Sequence, residues 1–362
     1  MAGAAVPAAG EAIKFLTMTP SFAASVAAIG FVGGLLSGFL GSGGAFIMTP
    51  AMMSLGIPGI MAVGANITHK FGKAIMGSKK HGEFGNVDKK MGLVMFLALF
   101  AGVQVAVGVS NGILHKMGQA GSNLYISAMF VVILTGVSIF MARDISRIRK
   151  GIPPKEGGFA DKLKNLNLPP MIYFKVANVR TSLWLALAVA FATGFLAGTI
   201  GVGGFVGVPA MIYILGVPTY VAAGTELFLA IFSGMQGAFL YSLYGYVDLR
   251  IVLLLYAGSL IGLTLGAIGT RVVRGFQIKL VMTSIIVFVA VSRLMMVPVY
   301  LNDLGRLALS ASAHHSIALA SDLCLYASGL GGSAIILFWM FQAYRRGTAL
   351  KTQVSDNKVS AS

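Results

Sequence analysis

The sequence has little charge for its length. Only 10% of its 362 residues are Asp, Glu, Lys or Arg, whereas an ordinary soluble domain carries about 25%. A water-facing surface cannot be built from so few charged side chains. Hydrophobic residues make up 57% of the chain and lie in long runs, and a run of about 20 lets a helix cross a membrane. We therefore predict an all-α integral membrane protein with many crossings, placed in the cytoplasmic membrane of a bacterium and in contact with lipid.

Acidic residues are especially few, with 11 Asp and Glu against 27 Lys and Arg, which gives a formal net charge of +16. Such an excess could indicate a nucleic-acid partner. Most of these Lys and Arg lie in short loops between apolar runs, which is typical of the cytoplasmic loops of membrane proteins. We therefore predict no nucleic-acid partner. A single cysteine, Cys324, excludes an intrachain disulfide.

Motifs for catalysis are also missing from the sequence. It has no P-loop, no spacing of residues that would bind a metal, and no nucleophile beside a positioned base. We predict that the protein is not an enzyme and uses no cofactor or metal. Energy for transport would then come from an ion gradient or from the gradient of the substrate.

Two of the apolar segments are too short to cross a membrane. The segments at 45–57 and 205–216 would each extend about 18 Å as a helix, short of the hydrocarbon thickness. They are therefore predicted to be half-helices or re-entrant pieces. The full set of apolar segments is 22–40, 45–57, 59–78, 91–113, 122–142, 181–200, 205–216, 219–245, 251–270, 280–299 and 317–343.

An internal repeat relates the two halves of the chain with an offset of 160 residues. It aligns the glycine clusters at 41–44 and 201–204, and it also aligns Pro58 with Pro218 and Asp88 with Asp248. A glycine break followed by a short apolar segment, at the same place in both halves, indicates a transporter site at a repeat interface. The predicted regions are a first repeat at 1–142, a basic cytoplasmic linker at 143–180, a second repeat at 181–300, an additional membrane helix at 301–344 and a cytoplasmic tail at 345–362.

The distribution of positive charge favours inverted repeats. If the short segments count as crossings, each repeat has five, so the second is inverted, and 20 Lys and Arg lie on the cytoplasmic side against four outside. If the short segments dip in and return, the counts become 16 and eight. Within the linker, residues 159–166 could form an amphipathic helix on the inner leaflet, and the alternative is a solvated tether.

The membrane segment at 59–78 holds the strongest candidates for substrate contacts. Asn66, Lys70 and Lys73 follow helical spacing, and His69 lies beside them, so all four can share one face. Lys70 is about 14 Å along the axis from Lys79, too far for its side chain to reach the interface in that direction. A charge at such depth usually faces a polar cavity or a partner. His69 could transfer protons or simply form a packing hydrogen bond.

In the second half, the repeat places Glu226 opposite Asn66, with Gln236 ten residues further on. Glu226 could be a site of proton coupling or the ion-pair partner of Lys70, and the sequence leaves both open.

The glycine breaks themselves are the second group of candidates. A break leaves backbone N–H groups free at the start of the next half-helix, where the helix dipole adds partial positive charge, and both features suit an anion. Close helix packing is the alternative explanation for small residues. The candidates at the breaks are Gly41, Ser42, Gly43 and Gly44 in the first half and Gly201, Gly203 and Gly204 in the second.

Taken together, these features resemble a known family. The order of a glycine cluster, a short segment with a Gly-x-Pro turn, a polar membrane helix and a Gly-x-Val-Asp ending at 85–88 and 245–248 resembles the TauE/SafE sulfite exporter family over about 25–345. The resemblance implies transport of sulfite, sulfonates and related sulfur anions. His69, Lys70, Lys73 and the long basic linker depart from the usual pattern.

The function expected from this sequence is a secondary transporter, an exporter of a small sulfur oxyanion that works by alternating access. An anion channel and an ion-coupled uptake permease for another small anion are the alternatives. The sequence leaves open whether the protein forms a homo-oligomer.

Overall fold

The computed structural model describes residues 16–40, 44–150, 168–273 and 275–359. Within these residues the chain forms ten α-helices and one β-hairpin. The elements are α1 (Pro20–Leu40), α2 (Ala45–Ser54), α3 (Gly59–Glu83), α4 (Lys89–Arg149), β1 (Met171–Phe174), β2 (Val179–Ser182), α5 (Leu183–Ile200), α6 (Gly204–Tyr213), α7 (Thr219–Leu243), α8 (Leu249–Val272), α9 (Gly275–Asp303) and α10 (Ala311–Val359).

In this part of the chain, seven helices are long and apolar enough to cross a membrane. α4 bends at Gly118, whose positive φ of 66° is a backbone conformation that favours glycine. Its two arms, 89–117 and 119–149, are therefore separate helices. This break lies between the apolar segments predicted at 91–113 and 122–142. The prediction of an all-α polytopic membrane protein is confirmed.

The bounds of the helices repeat with the same offset as the sequence motifs. α3 and α7 have 25 residues each and start at 59 and 219, a difference of 160. α2 and α6 have only ten residues each, and a glycine cluster precedes both. At about 15 Å they are half-helices, as the sequence predicted.

Each half contributes its first helix to the other half. α1 packs against α8 so closely that a Cβ on Gly34 would lie 2.3 Å from the carbonyl oxygen of Ser259. In the equivalent pair, α5 against the first arm of α4, a Cβ on Gly194 would lie 2.1 Å from the carbonyl oxygen of Leu99. Small residues permit such close approach of helix backbones in a membrane, so these glycines are fixed by packing.

α3 and α7 cross between these two pairs in opposite directions. The start of α3 lies beside the end of α7, because a Cβ on Gly64 would be 2.9 Å from the carbonyl oxygen of Tyr246. At the other end, a Cβ on Gly224 would be 2.2 Å from the carbonyl oxygen of Asn86. The two equivalent turns, at 84–88 and 244–248, therefore lie at opposite ends of the helical bundle.

The linker contains structure that the sequence did not predict. β1 and β2 pair as an antiparallel hairpin, with Phe174 fully buried. The carboxylate of Asp88 accepts hydrogen bonds from the backbone N–H groups of Val176 and Ala177 and from that of Met91 at the start of α4. The hairpin is thus fixed to the bundle. Residues 151–167, with the predicted amphipathic stretch, lie outside the described residues.

The other predicted boundaries around the linker and the tail are less sharp than expected. α4 continues into the linker as far as Arg149, and α10 continues through the predicted tail to Val359.

Candidate anion site at the helix breaks

The two breaks are formed by the segments that join α1 to α2 and α5 to α6. At the first, the predicted site residues Gly41, Ser42 and Gly43 lie outside the described residues, while Gly44 directly precedes α2. At the second, Gly201 ends α5 with a φ of 79°, a left-handed conformation that favours glycine. α6 then begins at Gly204.

Asn66 of α3 connects α2 with the end of α5. Its Nδ2 donates a hydrogen bond of 2.9 Å to Oγ1 of Thr49 in α2, and Thr49 Oγ1 donates one of 3.2 Å to the carbonyl oxygen of Ile200. That carbonyl lies at the end of α5, where the last carbonyl groups of a helix have no partner within it. A Cβ on Gly201 would lie 3.2 Å from the Asn66 side chain. The half-helix α2 and the end of α5 therefore meet at the buried Asn66 side chain.

Lys70 and Glu226 form an ion pair at the same level of the bundle. Lys70 Nζ lies 3.2 Å from Glu226 Oε1, and the side chains are only 14% and 2% exposed. The Glu226 carboxylate also lies against the start of α6, because a Cβ on Gly204 would be 2.5 Å from its atoms. The ion pair that the sequence left open is therefore present in the structure.

His69 and Lys73 face α8 and α1 rather than α7. His69 Nε2 lies 2.7 Å from Ser259 Oγ, and its ring lies 4.7 Å from that of Tyr256. Lys73 Nζ donates a hydrogen bond of 3.2 Å to Ser37 Oγ in α1. All four predicted residues of α3 thus have polar partners, but the partners are on different helices.

Three of the predicted residues lie apart from this group. Gln236 is ten residues beyond Glu226, about 15 Å along α7, and its Nε2 donates to the carbonyl oxygen of Phe100 in α4 at 3.1 Å. Gly203 packs against α5, where a Cβ would lie 2.8 Å from the carbonyl oxygen of Thr193. Gly44 packs against α1, where a Cβ would lie 2.1 Å from the carbonyl oxygen of Gly33. The residues that the structure gathers are Asn66, Lys70, Gly201, Gly204 and Glu226.

Comparison with known proteins identifies the family. A family model described as sulfite exporter TauE/SafE matches residues 26–293, which is most of the chain. The chain belongs to the TauE/SafE sulfite exporter family. The match covers both breaks, α3, α7 and the crossed helix pairs.

Three relatives of the chain come from Bacillus subtilis (strain 168), and each is named a probable membrane transporter protein. YunE is 25% identical over 273 residues, which is 72% of this chain and 93% of YunE. YdhB is 23% identical, covering 66% of this chain and 86% of its own length, and YjnA is 25% identical, covering 67% and 88%. No solved structure matches the chain. This TauE/SafE protein is a multi-pass membrane transporter, as predicted.

One buried charge of this TauE/SafE protein was missed in the sequence. Arg293 in α9 is 0% exposed, and its Nη2 donates hydrogen bonds to Ser54 Oγ at 3.0 Å and Ser292 Oγ at 3.1 Å. Its Nε and Nη1 have no hydrogen-bond partner within the described residues. Because Ser54 is the last residue of α2, Arg293 tethers the far end of this half-helix, where a positive charge complements the helix dipole. An Arg within the apolar segment 280–299 was the available signal.

Thr49 was also missed, since a single threonine in an apolar segment carries little signal. In the part of the chain that the structure describes, no group of three or more His, Cys, Asp or Glu could hold a metal ion.

Proposed function

We propose that this membrane transporter is a secondary carrier that exports a small sulfur oxyanion, such as sulfite or a sulfonate, by alternating access between two inverted repeats. The observation that supports this proposal most directly is Lys70, a largely buried cation whose partner, Glu226, lies against the start of the half-helix α6. A buried charge in a membrane helix usually serves a substrate or ion pathway. The starts of half-helices add backbone donors and partial positive charge.

The substrate class rests on the chemistry of these donors together with the family. A compact oxyanion accepts several hydrogen bonds at once, which suits an ammonium group, the Asn66 amide and free backbone N–H groups. The family name describes sulfite export. In the proposed site the anion binds at the Lys70 ammonium group.

The relation between α3 and α7 supports inverted repeats. Ile67 of α3 lies against Gly237 of α7. The residues equivalent to these two, Leu227 and Gly77, also lie against each other, so exchanging the two helices reproduces the same contact. Two equivalent helices that cross in opposite directions are related by a two-fold axis perpendicular to them. For helices that cross a membrane, that axis lies in the membrane plane, which is the symmetry of inverted-repeat transporters.

Flux measurements in proteoliposomes test the function. Sulfite, methanesulfonate, sulfate and acetate should be compared, and a carrier of sulfur oxyanions should show saturable flux of sulfite or methanesulfonate that rises when the same anion is present on the opposite side. Flux that neither saturates nor responds to trans anion would indicate a channel. Strict dependence on an inward ion gradient would indicate an uptake permease.

Lys70→Met tests the role of Lys70 because methionine keeps much of the volume and removes the charge. Apparent affinity should fall by at least about tenfold, or 1.4 kcal/mol, while Lys80→Met, at an exposed lysine of the same helix, should leave it unchanged. If Lys70 only stabilises the fold through Glu226, Lys70→Met should leave substrate affinity unchanged and lower the stability of the protein. The double variant Lys70→Met with Glu226→Gln should then restore that stability.

Cysteine labelling tests the inversion. Glu83 and Leu243 are equivalent under the repeat, and both side chains are exposed. Glu83→Cys and Leu243→Cys, each in a Cys324→Ala background, should react with an impermeant reagent from opposite sides of the membrane. Labelling of both from the same side would contradict inverted repeats.

A further inference from the structure

The two half-helices differ in what lies at their starts. At the second break, the Glu226 carboxylate lies against the start of α6, so close that a Cβ on Gly204 would be 2.5 Å from it. At the start of α2, a Cβ on Gly44 would instead meet the backbone of Gly33 and Ser37, and the residue equivalent to Glu226 is the neutral Asn66, which contacts Thr49 and Gly201. Because the N-terminus of a helix attracts negative charge, Glu226 occupies the place where an anion would bind at α6. The protein therefore has its own anion at one of its two breaks.

Lys70 is the cation that Glu226 contacts. Of the other charged or titratable groups of α3 on this side, His69 pairs with Ser259 and Lys73 donates to Ser37. The residues of α5 and α6 that approach Glu226 or the start of α6, including Thr193 and Gly207, are uncharged. Asp88, which precedes α4, binds the hairpin and the start of α4 through its carboxylate, and its backbone N–H donates to Thr225, the residue before Glu226.

A substrate anion at Lys70 would therefore compete with a resident carboxylate. Two negative charges about 4 Å apart repel by about 4 kcal/mol even at an effective dielectric constant of 20. Binding of one proton to the Glu226 carboxylate removes this repulsion and leaves the Lys70 ammonium free to hold the anion. Without substrate, the closed ion pair has no net charge, which favours reorientation of the empty carrier through the membrane.

We propose that Glu226 is a proton-binding site and that each transported anion moves together with one proton. This inference rests on the proposed function. The proton comes from water on the loading side, converts the carboxylate to the carboxylic acid, and returns to water on the other side when the anion leaves. Lys70 and the Glu226 carboxylate then pair again.

Proton movement in vesicles tests this proposal. Proteoliposomes should contain the pH indicator pyranine and carry a gradient of sulfite or of methanesulfonate, which stays singly charged near neutral pH. In wild-type protein, the methanesulfonate gradient should move protons in the same direction as the anion. Flux should also rise about tenfold for each unit of falling pH over part of the range, as expected for one bound proton.

Glu226→Gln should lose the proton movement that accompanies methanesulfonate, and any flux that remains should no longer depend on pH. Glu83→Gln, at a carboxylate that is 50% exposed on α3, should behave as wild type. Wild-type anion flux without proton movement would overturn proton coupling and leave the proposed function standing, whereas no flux of any anion would overturn both.

If Glu226→Gln is poorly folded, the double variant Lys70→Met with Glu226→Gln removes both charges and restores a neutral pair of positions. Its stability should return to that of wild type in thermal unfolding, and no proton movement should accompany any residual anion flux. Proton movement that persists in either variant would exclude Glu226 as the proton-binding site.

Discussion

α3 and α7 have the same length and equivalent positions but carry different side chains. His69, Lys70 and Lys73 of α3 correspond to Leu229, Ala230 and Ser233 of α7, and Asn66 corresponds to Glu226. The glycines that set the close helix contacts are shared, as in the pair Gly34 and Gly194. The two halves thus share their packing glycines but not their charged side chains, so the candidate site is asymmetric.

The largest loss of stability is expected at the packing glycines that both halves share. Gly34→Leu and Gly194→Leu place a side chain against the backbone of a neighbouring helix, which cannot move aside, so each should lower the free energy of unfolding by about 3 kcal/mol or more. Thermal unfolding of the purified protein and its yield are the measurements. Gly108→Leu is the control, because a Cβ there meets nothing within 4 Å. A mild loss in only one of the two variants would show that the halves do not pack alike.

The two breaks should respond differently when alanine replaces the glycine at the start of each half-helix. A Cβ on Gly44 would lie 2.1 Å from the carbonyl oxygen of Gly33, so Gly44→Ala should destabilise the protein by about 1–3 kcal/mol. A Cβ on Gly204 meets the end of the Glu226 side chain, which can move, so Gly204→Ala should remain folded and lose proton coupling. Unfolding and pyranine assays on both variants measure this difference. Equal stability losses would contradict it.

The smallest effect is expected at the two equivalent aspartates. One backbone N–H donates to Asp88 Oδ1 and two donate to Oδ2, so Asp88→Asn, which keeps one oxygen, leaves one or two of these donors without an acceptor. Stability should fall by about 1–3 kcal/mol and hydrogen exchange should rise at 171–182. Asp248 pairs with Arg250, which is 45% exposed, and asparagine still caps a helix, so Asp248→Asn should cost less than about 1 kcal/mol. An equal loss at both positions would show that the hairpin adds nothing to the fold.

The sequence predicted the helices well because their signals are local. Apolar run length and glycine breaks gave membrane helices close to the observed ones, such as 205–216 for the helix Gly204–Tyr213. The internal repeat predicted that α3 and α7 occupy equivalent positions in the two halves, and the two helices have the same length. These features depend on hydrophobicity and on backbone conformation, which neighbouring residues largely determine.

Partners distant in sequence were harder to predict. Lys70 and Glu226 are 156 residues apart, so their pairing depends on how α3 crosses α7. The hairpin was missed because its strands have four residues each, too few for a periodic pattern, and because its anchor is Asp88. Arg293 was missed because it is a single charge in a segment whose other residues are mostly hydrophobic, and that segment was interpreted as an apolar membrane helix.

The crossed packing of α1 and α8 has a consequence for biosynthesis. α1 ends at Leu40 and α8 begins at Leu249, so more than two hundred residues are translated before the glycine face of α1 meets its partner. During that time, α1 stays in the bilayer with lipid against a surface shaped for another helix. The first arm of α4 also faces lipid until its partner, α5, which begins at Leu183, has been translated. A ribosome that stops between the halves therefore leaves a chain in which neither crossed pair has formed.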